Sequence, residues 1–204
     1  MDDDGALLLA WRAGDRSAGK LLFERYFDSI ARFFRSKLDG GYDDLVQDVF
    51  KGCLAGRERL REATSFRAYL FSIAHNVLRS HFRARQKYKD NYDFGAEHSL
   101  LDLVPGVTTM QGEAEEQRAL LEALRRLPLN SQLILELRYW ESMTTAEIAE
   151  VLQVPHPTAR SRLRRALELL AAELVRLGQS PTRLRTTLDY LDAWAERLRA
   201  PPQD

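Results

Sequence analysis

With 204 residues, 45% of them apolar, the chain is long enough for one domain or two small ones with modest cores. Thirty basic residues balance thirty acidic ones, so the net charge excludes a nonspecific nucleic-acid coat and makes the distribution of charge the informative quantity. A single cysteine excludes a disulfide framework and a thiolate zinc site, and four scattered histidines make no ligand pattern. The start, MDDDGALLLA, lacks the basic flank and long apolar run of a signal peptide, and no stretch is apolar enough to span a bilayer. A cytoplasmic location without membrane insertion is expected.

In chain order, Asp15 is placed to cap a helix running to about Leu38, with Ala18, Leu21, Leu22, Tyr26, Ile30, Phe33, Phe34 and Leu38 on one buried, aromatic-rich face. Gly40 and Gly41 end it. Asp43 or Asp44 then caps a second helix with Leu45, Val46, Val49, Phe50 and Leu54 as its inner stripe and Cys53 as a small core residue. Asp44, Gln47, Asp48 and Lys51 fall at i, i+3, i+4 and i+7 on the opposite side. That polar stripe is either plain solvated surface or a place to meet another protein.

Thr64 and Ser65 cap a third helix, from Phe66 to about Gln86, with Phe66, Tyr69, Leu70, Ile73, Val77 and Phe82 as its apolar stripe. Arg67, His75, Asn76, Arg79, Ser80 and Arg83 lie elsewhere on it. Residues 63–89 hold six Lys and Arg and no acid, whereas residues 90–117 hold seven acids and no Lys or Arg. Basic side chains interleaved with Tyr69, Phe71 and Phe82 suit neutralising phosphates and stacking on unpaired bases. The competing reading puts the aromatic rings in the core.

Periodicity disappears over residues 90–112, where Gly95, Pro105, Gly106 and the run of acids read as a flexible acidic linker that orders on binding. Helix returns from about Glu113 to Leu127, stops at Pro128 and resumes from Ser131 to Trp140. Next comes TTAEIAEVLQVPHPTARSRLRRALELL, residues 144–170, a helix-turn-helix pattern. Thr144 and Glu147 form a capping box, Gln153-Val154-Pro155 breaks the periodicity, and Pro157 suits the first turn of the next helix. Ala159, Leu163, Ala166 and Leu170 make that helix's buried stripe, leaving Thr158, Arg160, Ser161, Arg162, Arg164 and Arg165 to project elsewhere. A helix-turn-helix is also a generic packing unit, and an arginine-rich helix is often a solvated face. The absence of any acid between Glu150 and Glu168 favours DNA, because a solvated helix usually intersperses both signs.

A last amphipathic helix starts at Ser180-Pro181 and carries Leu184, Leu188, Leu191, Ala195 and Leu198 on one face. No strand alternation or repeat appears, so the expected fold class is all-α: two small helical domains joined by a flexible acidic linker, plus a C-terminal amphipathic helix. The expected divisions are residues 1–89, 90–112, 113–177 and 178–204.

Set together, these segments resemble the bacterial RNA polymerase sigma factors of the extracytoplasmic function type, over nearly the whole chain to about Leu174. DDLVQDVF, residues 43–50, is similar to the helix that docks such factors on the clamp helices of core RNA polymerase, which implies contacts through Asp44, Gln47 and Asp48. SFRAYLFSIAHNVLRSHFRAR, residues 65–85, resembles the family's promoter-melting helix, and the stretch just before it matches a loop that captures a flipped base. The resemblance implies promoter DNA contacts through Arg61, Ser65, Phe66, Asn76, Arg79, Ser80 and Arg83. Tyr69 stands where Trp is usual, His75 where Arg is frequent and Ser80 where Asp or Asn is common, which leaves the preference at the upstream edge of the melted element open.

LPLNSQLILELRYWESMTTAEIAEVLQVPHPTARSRLRRAL, residues 127–167, is similar to the family's second domain, which reads the promoter element around minus thirty-five. The matching exposed positions are His156, Thr158, Arg160, Ser161, Arg162 and Arg164. Gln153 replaces the usual turn glycine, at a cost on the order of 1 kcal/mol if it is left-handed. The acidic linker would thread the polymerase's positively charged channel. The resemblance implies core RNA polymerase and promoter DNA as partners, an anti-sigma protein as a possible further one, and no cofactor, metal or catalysis. Residues 178–204 lie outside the family pattern.

Two rivals remain at this level. One is a helix-turn-helix regulator that binds DNA without polymerase, its first domain serving as a sensor or oligomerisation module. The other is an enzyme acting on nucleic acid, for which no carboxylate cluster, histidine pair or Gly-rich phosphate loop is present at usable spacing.

Overall fold

Asp15 begins the helix that follows it as the sequence requires: its carboxylate accepts from the backbone N–H of Ser17 (2.8 Å) and Ala18 (3.3 Å), filling two of the donors that a helix start leaves open. The structure, a computed structural model, describes residues 3–38, 40–56, 65–88 and 113–178. Every regular element among these is helical. In order they are α1 (Asp3–Arg12), α2 (Arg16–Arg35), α3 (Asp43–Gly56), α4 (Phe66–Tyr88), α5 (Glu113–Arg125), α6 (Leu129–Leu135), a π-helical turn (Glu136–Trp140), α7 (Thr145–Leu152) and α8 (His156–Arg176). Arg61, the acidic linker and the C-terminal extension lie outside the described residues. The chain divides into two compact units, residues 1–92 with 149–154 and residues 93–148 with 155–204.

In the first unit α2 stops at Arg35, short of the expected end near Leu38. Ser36 and Lys37 are the reason, since the Ser36 hydroxyl (3.1 Å) and the Lys37 ammonium (2.7 Å) both donate to the Phe33 carbonyl. The Lys37 ammonium also lies 4.0 Å from the centre of the Phe33 ring, so this buried cation is held by a carbonyl, a hydroxyl and a π face together. Gly40 and Gly41 then turn the chain at positive φ, 135° and 67°.

Leu22, Ile30, Phe33 and Phe34 of α2, Val49 and Cys53 of α3, and Leu70, Phe71 and Ala74 of α4 are fully buried. Burial pushes the Cys53 thiol up to about 12, so it stays protonated and inert as a small core side chain. The sequence misplaces several residues. Leu21 and Leu54 were expected inside and are half exposed; Leu54 sits one step, about 100° of rotation, past the buried Cys53. On α4 the buried set is Phe66, Ala68, Leu70, Phe71, Ala74 and Leu78, and Tyr69, Ile73, Val77 and Phe82 are only half-buried. The helix packs on α1, α2 and α3, so its buried arc is wider than one stripe, and the small Ala68 and Ala74 lie on the inner side.

Nothing in the sequence reading announced α1. Its Trp11 is buried edge-on to Phe23, with ring centres 5.4 Å apart, and a Cβ on Gly19 of α2 would overlap the indole. Asp4 ties the other end of α1 down by accepting from the Arg25 guanidinium and the Tyr26 hydroxyl.

In the second unit, Pro128 occupies the N-cap position of α6 at φ −56° and ψ 141°, so the helix starts at Leu129 rather than at Ser131. Gln132, buried, closes the end of α5 by donating to the carbonyls of Leu127 (2.7 Å) and Arg125 (3.3 Å). The helix then widens: Glu141 N–H donates to the Glu136 carbonyl at 3.1 Å, an i to i+5 bond. The widened turn resets the inward face so that Leu137, Trp140 and Met143 are all buried. α8 packs against α5 and α6 and buries Ala159, Ala166, Leu170 and Leu174, while Leu163 is half-buried.

Candidate polymerase and DNA interfaces

Asp43 and Asp44 sit inside the first turn of α3, whose first bond runs from Val46 N–H to the Tyr42 carbonyl (2.9 Å). Their charges therefore complement the positive helix end, and neither caps it as the sequence suggested. Asp44, Gln47, Asp48 and Lys51 are all exposed along one side. Lys51 approaches Asp48 at 3.4 Å in the open, where solvent and salt screen the pair, so Asp48 remains an accessible anion. Beside the stripe runs a groove of about 420 Å³ between α2 and α3, lined by Phe23, Phe27, Val46, Phe50 and Leu54. Gln47 belongs to both groove and stripe. The sequence reading missed this groove because it assigned Phe50 and Leu54 inward; the signal was Phe23 and Phe27, apolar at i and i+4 and absent from the inner stripe that was read for this helix.

Asn76, Arg79, Ser80 and Arg83 fall at i, i+3, i+4 and i+7 of α4, and the last three are exposed while Asn76 is half-buried. Among the described residues neither Arg79 nor Arg83 has a carboxylate partner, so both guanidinium groups are available to phosphates. Ser65, half-buried, caps α4 by accepting from Ala68 N–H at 3.2 Å. Phe66 is the correction: it is 3% exposed, with its ring packed on Trp11 (6.2 Å) and Tyr26 (5.6 Å). A ring so enclosed offers no face to a base, and the fully buried Phe71 is excluded for the same reason.

The helix-turn-helix has the local chemistry read from sequence. Thr144 and Glu147 cap reciprocally, Glu147 N–H donating to the Thr144 hydroxyl oxygen (3.2 Å) and Thr144 N–H to the Glu147 carboxylate (2.8 Å). Gln153 takes the left-handed conformation at φ 54°, and Val154 N–H returns to the Ala149 carbonyl at 3.0 Å. Pro155 stands at the N-cap of α8 and Pro157 in its first turn. His156, Arg160, Ser161, Arg162 and Arg164 are exposed and Thr158 is half-buried. Arg164 and Arg165 both lean on Glu168, at 3.7 and 3.3 Å, which leaves Arg160 and Arg162 as the cations of this row without a described carboxylate partner.

The regular elements among the described residues are helical, with a basic helix in one unit and a helix-turn-helix further along, and comparison with known proteins gives the class. The family model for Sigma-70 region 2 matches residues 22–88, and the model for Sigma-70, region 4 matches residues 117–170. The ECF RNA polymerase sigma-E factor of Haemophilus influenzae is 27% identical over 175 residues, which cover 82% of this chain and 93% of that protein. The RNA polymerase sigma factor HrpL of Pseudomonas syringae pv. syringae is 32% identical over 126 residues, 61% of this chain and 68% of that one. In fold the chain is similar to the sigma factor RpoE of Bartonella quintana, solved with the anti-sigma factor NepR, at a TM-score of 0.58 and 22% identity over 78% of this chain and 98% of that one.

The chain belongs to the sigma-70 family, as a sigma factor of the extracytoplasmic function type. It joins core RNA polymerase, recognises promoter DNA and serves transcription initiation. A regulator working without polymerase is set aside, because the match to region 2 covers the part that such a reading needs as a sensor. No described helix is long and apolar enough to cross a membrane.

Proposed function

We propose the following division of labour within the established role. Residues 1–89 dock on polymerase and open the promoter, residues 90–112 thread the enzyme's positively charged channel, and residues 113–177 read the upstream element. Asp44, Gln47 and Asp48 are the docking contacts, with the α2/α3 groove continuing the same surface toward an apolar side chain of the clamp helices. The observation that carries this reading is the coexistence, in the family's order, of an acidic exposed stripe on α3, Arg79 and Arg83 exposed on α4 and the exposed arginines of α8, of which Arg160 and Arg162 have no described carboxylate partner.

Promoter opening without ATP requires a favourable place for an unstacked base. Unstacking costs a few kcal/mol and stacking on a protein ring returns about 1–3 kcal/mol per base. Arg61 and Ser65 are assigned to the captured base, and Asn76, Arg79, Ser80 and Arg83 to the melted strand and its phosphates. With Phe66 and Phe71 enclosed, Tyr69 and Phe82 are half-buried, and among the α4 phenyl and phenol rings of described burial they are the ones that keep some exposure. His156, Thr158, Arg160, Ser161, Arg162 and Arg164 are assigned to the upstream element, where arginine reads guanine edges and phosphates. Each grip is weak alone, and polymerase makes the second contact intramolecular by holding both over one DNA.

Sigma factors are initiation factors rather than catalysts, and the protein acts with polymerase in the cytoplasm; the synthesis of RNA belongs to the enzyme. An anti-sigma protein is proposed as a further partner, in keeping with the solved complex of RpoE with NepR. Two variants test the assignment. Asp48→Arg weakens binding to core while the fold persists, and normal core affinity in the folded variant refutes the docking contact. Arg162→Ala lowers affinity for the upstream element by about 1–3 kcal/mol and spares core binding, and equal loss of both refutes its place at DNA.

A further inference from the structure

The start of α4 is enclosed by aromatic side chains of α1 and α2. Phe66, its first residue, is 3% exposed, edge-on to Trp11 (6.2 Å, 87°) and tilted against Tyr26 (5.6 Å, 58°). Trp11 is itself 4% exposed, pressed edge-on to Phe23 and seated on Gly19, where a Cβ would overlap its indole. It therefore has no room to shift toward α2. Tyr26 is tied back to α1 through Asp4, which also accepts from Arg25. Ser65 is joined to this assembly by its cap on Ala68 N–H. A second aromatic lock lies one turn along: the Tyr69 hydroxyl occupies the place that a Cβ on Gly56, the last residue of α3, would need. The Trp11, Phe66 and Tyr26 rings and the Gly56–Tyr69 contact are packed on protein, and together they hold Ser65 and the first turn of α4 against α1, α2 and α3.

We propose that Trp11, Tyr26 and the Gly56–Tyr69 contact are positioning residues for strand opening. They hold Ser65 and the α4 start where the flipped base is received, so that α1 serves base capture without touching DNA. The inference rests on the assignment of Arg61 and Ser65 to that base. Its physical basis is preorganisation: capture offsets unstacking only if the receiving groups are already fixed, because ordering them on binding consumes the gain. Displacement by about an ångström suffices to lose it.

The test uses the full chain bound to core polymerase and a promoter with its melted element single-stranded, in which abasic sites are scanned one position at a time. Wild-type holoenzyme loses about tenfold in affinity at the captured position, the worth of one stacked base. Trp11→Ala keeps core affinity within about twofold but reduces that abasic penalty to under about twofold, as Arg61→Ala does, while Trp11→Phe retains part of it. A ratio of affinities is insensitive to a smaller folded fraction, so a merely structural defect leaves the penalty intact. Gly56→Ala tests the other side: it abolishes the penalty by displacing Tyr69, and Tyr69→Phe in the same chain restores it. This pair decides the matter should Trp11→Ala fail to fold.

A full penalty in folded Trp11→Ala, or in Gly56→Ala if Trp11→Ala does not fold, overturns the inference alone. No penalty at any position in the wild type overturns the base-capture assignment and the inference with it.

Discussion

The indole of Trp11 occupies the space that a Cβ on Gly19 would fill, so α1 and α2 approach each other through a glycine. Gly19→Ala gains about 1 kcal/mol of helix propensity in α2 and loses about 1–3 kcal/mol by overpacking a ring that Phe23 and Phe66 hold from other sides. The expected net result is a loss of up to about 2 kcal/mol, read from chemical denaturation of the full chain. Unchanged or increased stability contradicts the close approach.

At the helix-turn-helix, Thr144 and Glu147 satisfy each other's backbone N–H groups. Thr144→Ala should cost about 1 kcal/mol, and Glu147→Gln, which keeps an acceptor at the same reach, a few tenths. Thermal unfolding distinguishes the two, and equal losses would show that charge rather than the reciprocal bonds sustains this helix start.

Gln153 stands at φ 54°, a conformation in which any Cβ is crowded. Replacing it by glycine relieves about 1 kcal/mol of strain, partly offset by the freedom glycine has in the unfolded chain. The expected outcome is a small stabilisation for Gln153→Gly and a loss exceeding 1 kcal/mol for Gln153→Val, whose branched side chain fits this conformation worst. Denaturation midpoints check both, and a more stable valine variant would contradict the left-handed turn.

Features made by neighbours in sequence were legible in advance. The Asp15 cap, the Thr144–Glu147 box, the left-handed Gln153 and the placing of Pro157 in the first turn of α8 follow from residue types at fixed short spacings. Features decided by distant partners were not. α1 is short, its LLLAW run is continuous rather than periodic, and its place is given by Trp11's contacts with α2 and α4 and by Asp4's bonds to Arg25 and Tyr26. The π-helical turn at Glu136–Trp140 depends on one extra residue that no spacing rule marks. On α4 the pattern left Phe71 off the inner stripe, yet it is fully buried, because packing against α1, α2 and α3 widens the buried arc beyond a single stripe. The exposed row Asp44/Gln47/Asp48 was readable, since i, i+3 and i+4 spacing fixes a shared side before any partner is known, and Arg160 and Arg162 were readable as positions off the Ala159/Leu163/Ala166/Leu170 stripe.

The central claim is that this sigma factor grips promoter DNA at two elements only as part of the polymerase. Footprinting one promoter with the protein alone and with added core enzyme, at equal protein concentration, tests it most directly. The account predicts protection of both the upstream element and the melted element with core and of neither without it. Equal protection by the protein alone would contradict it.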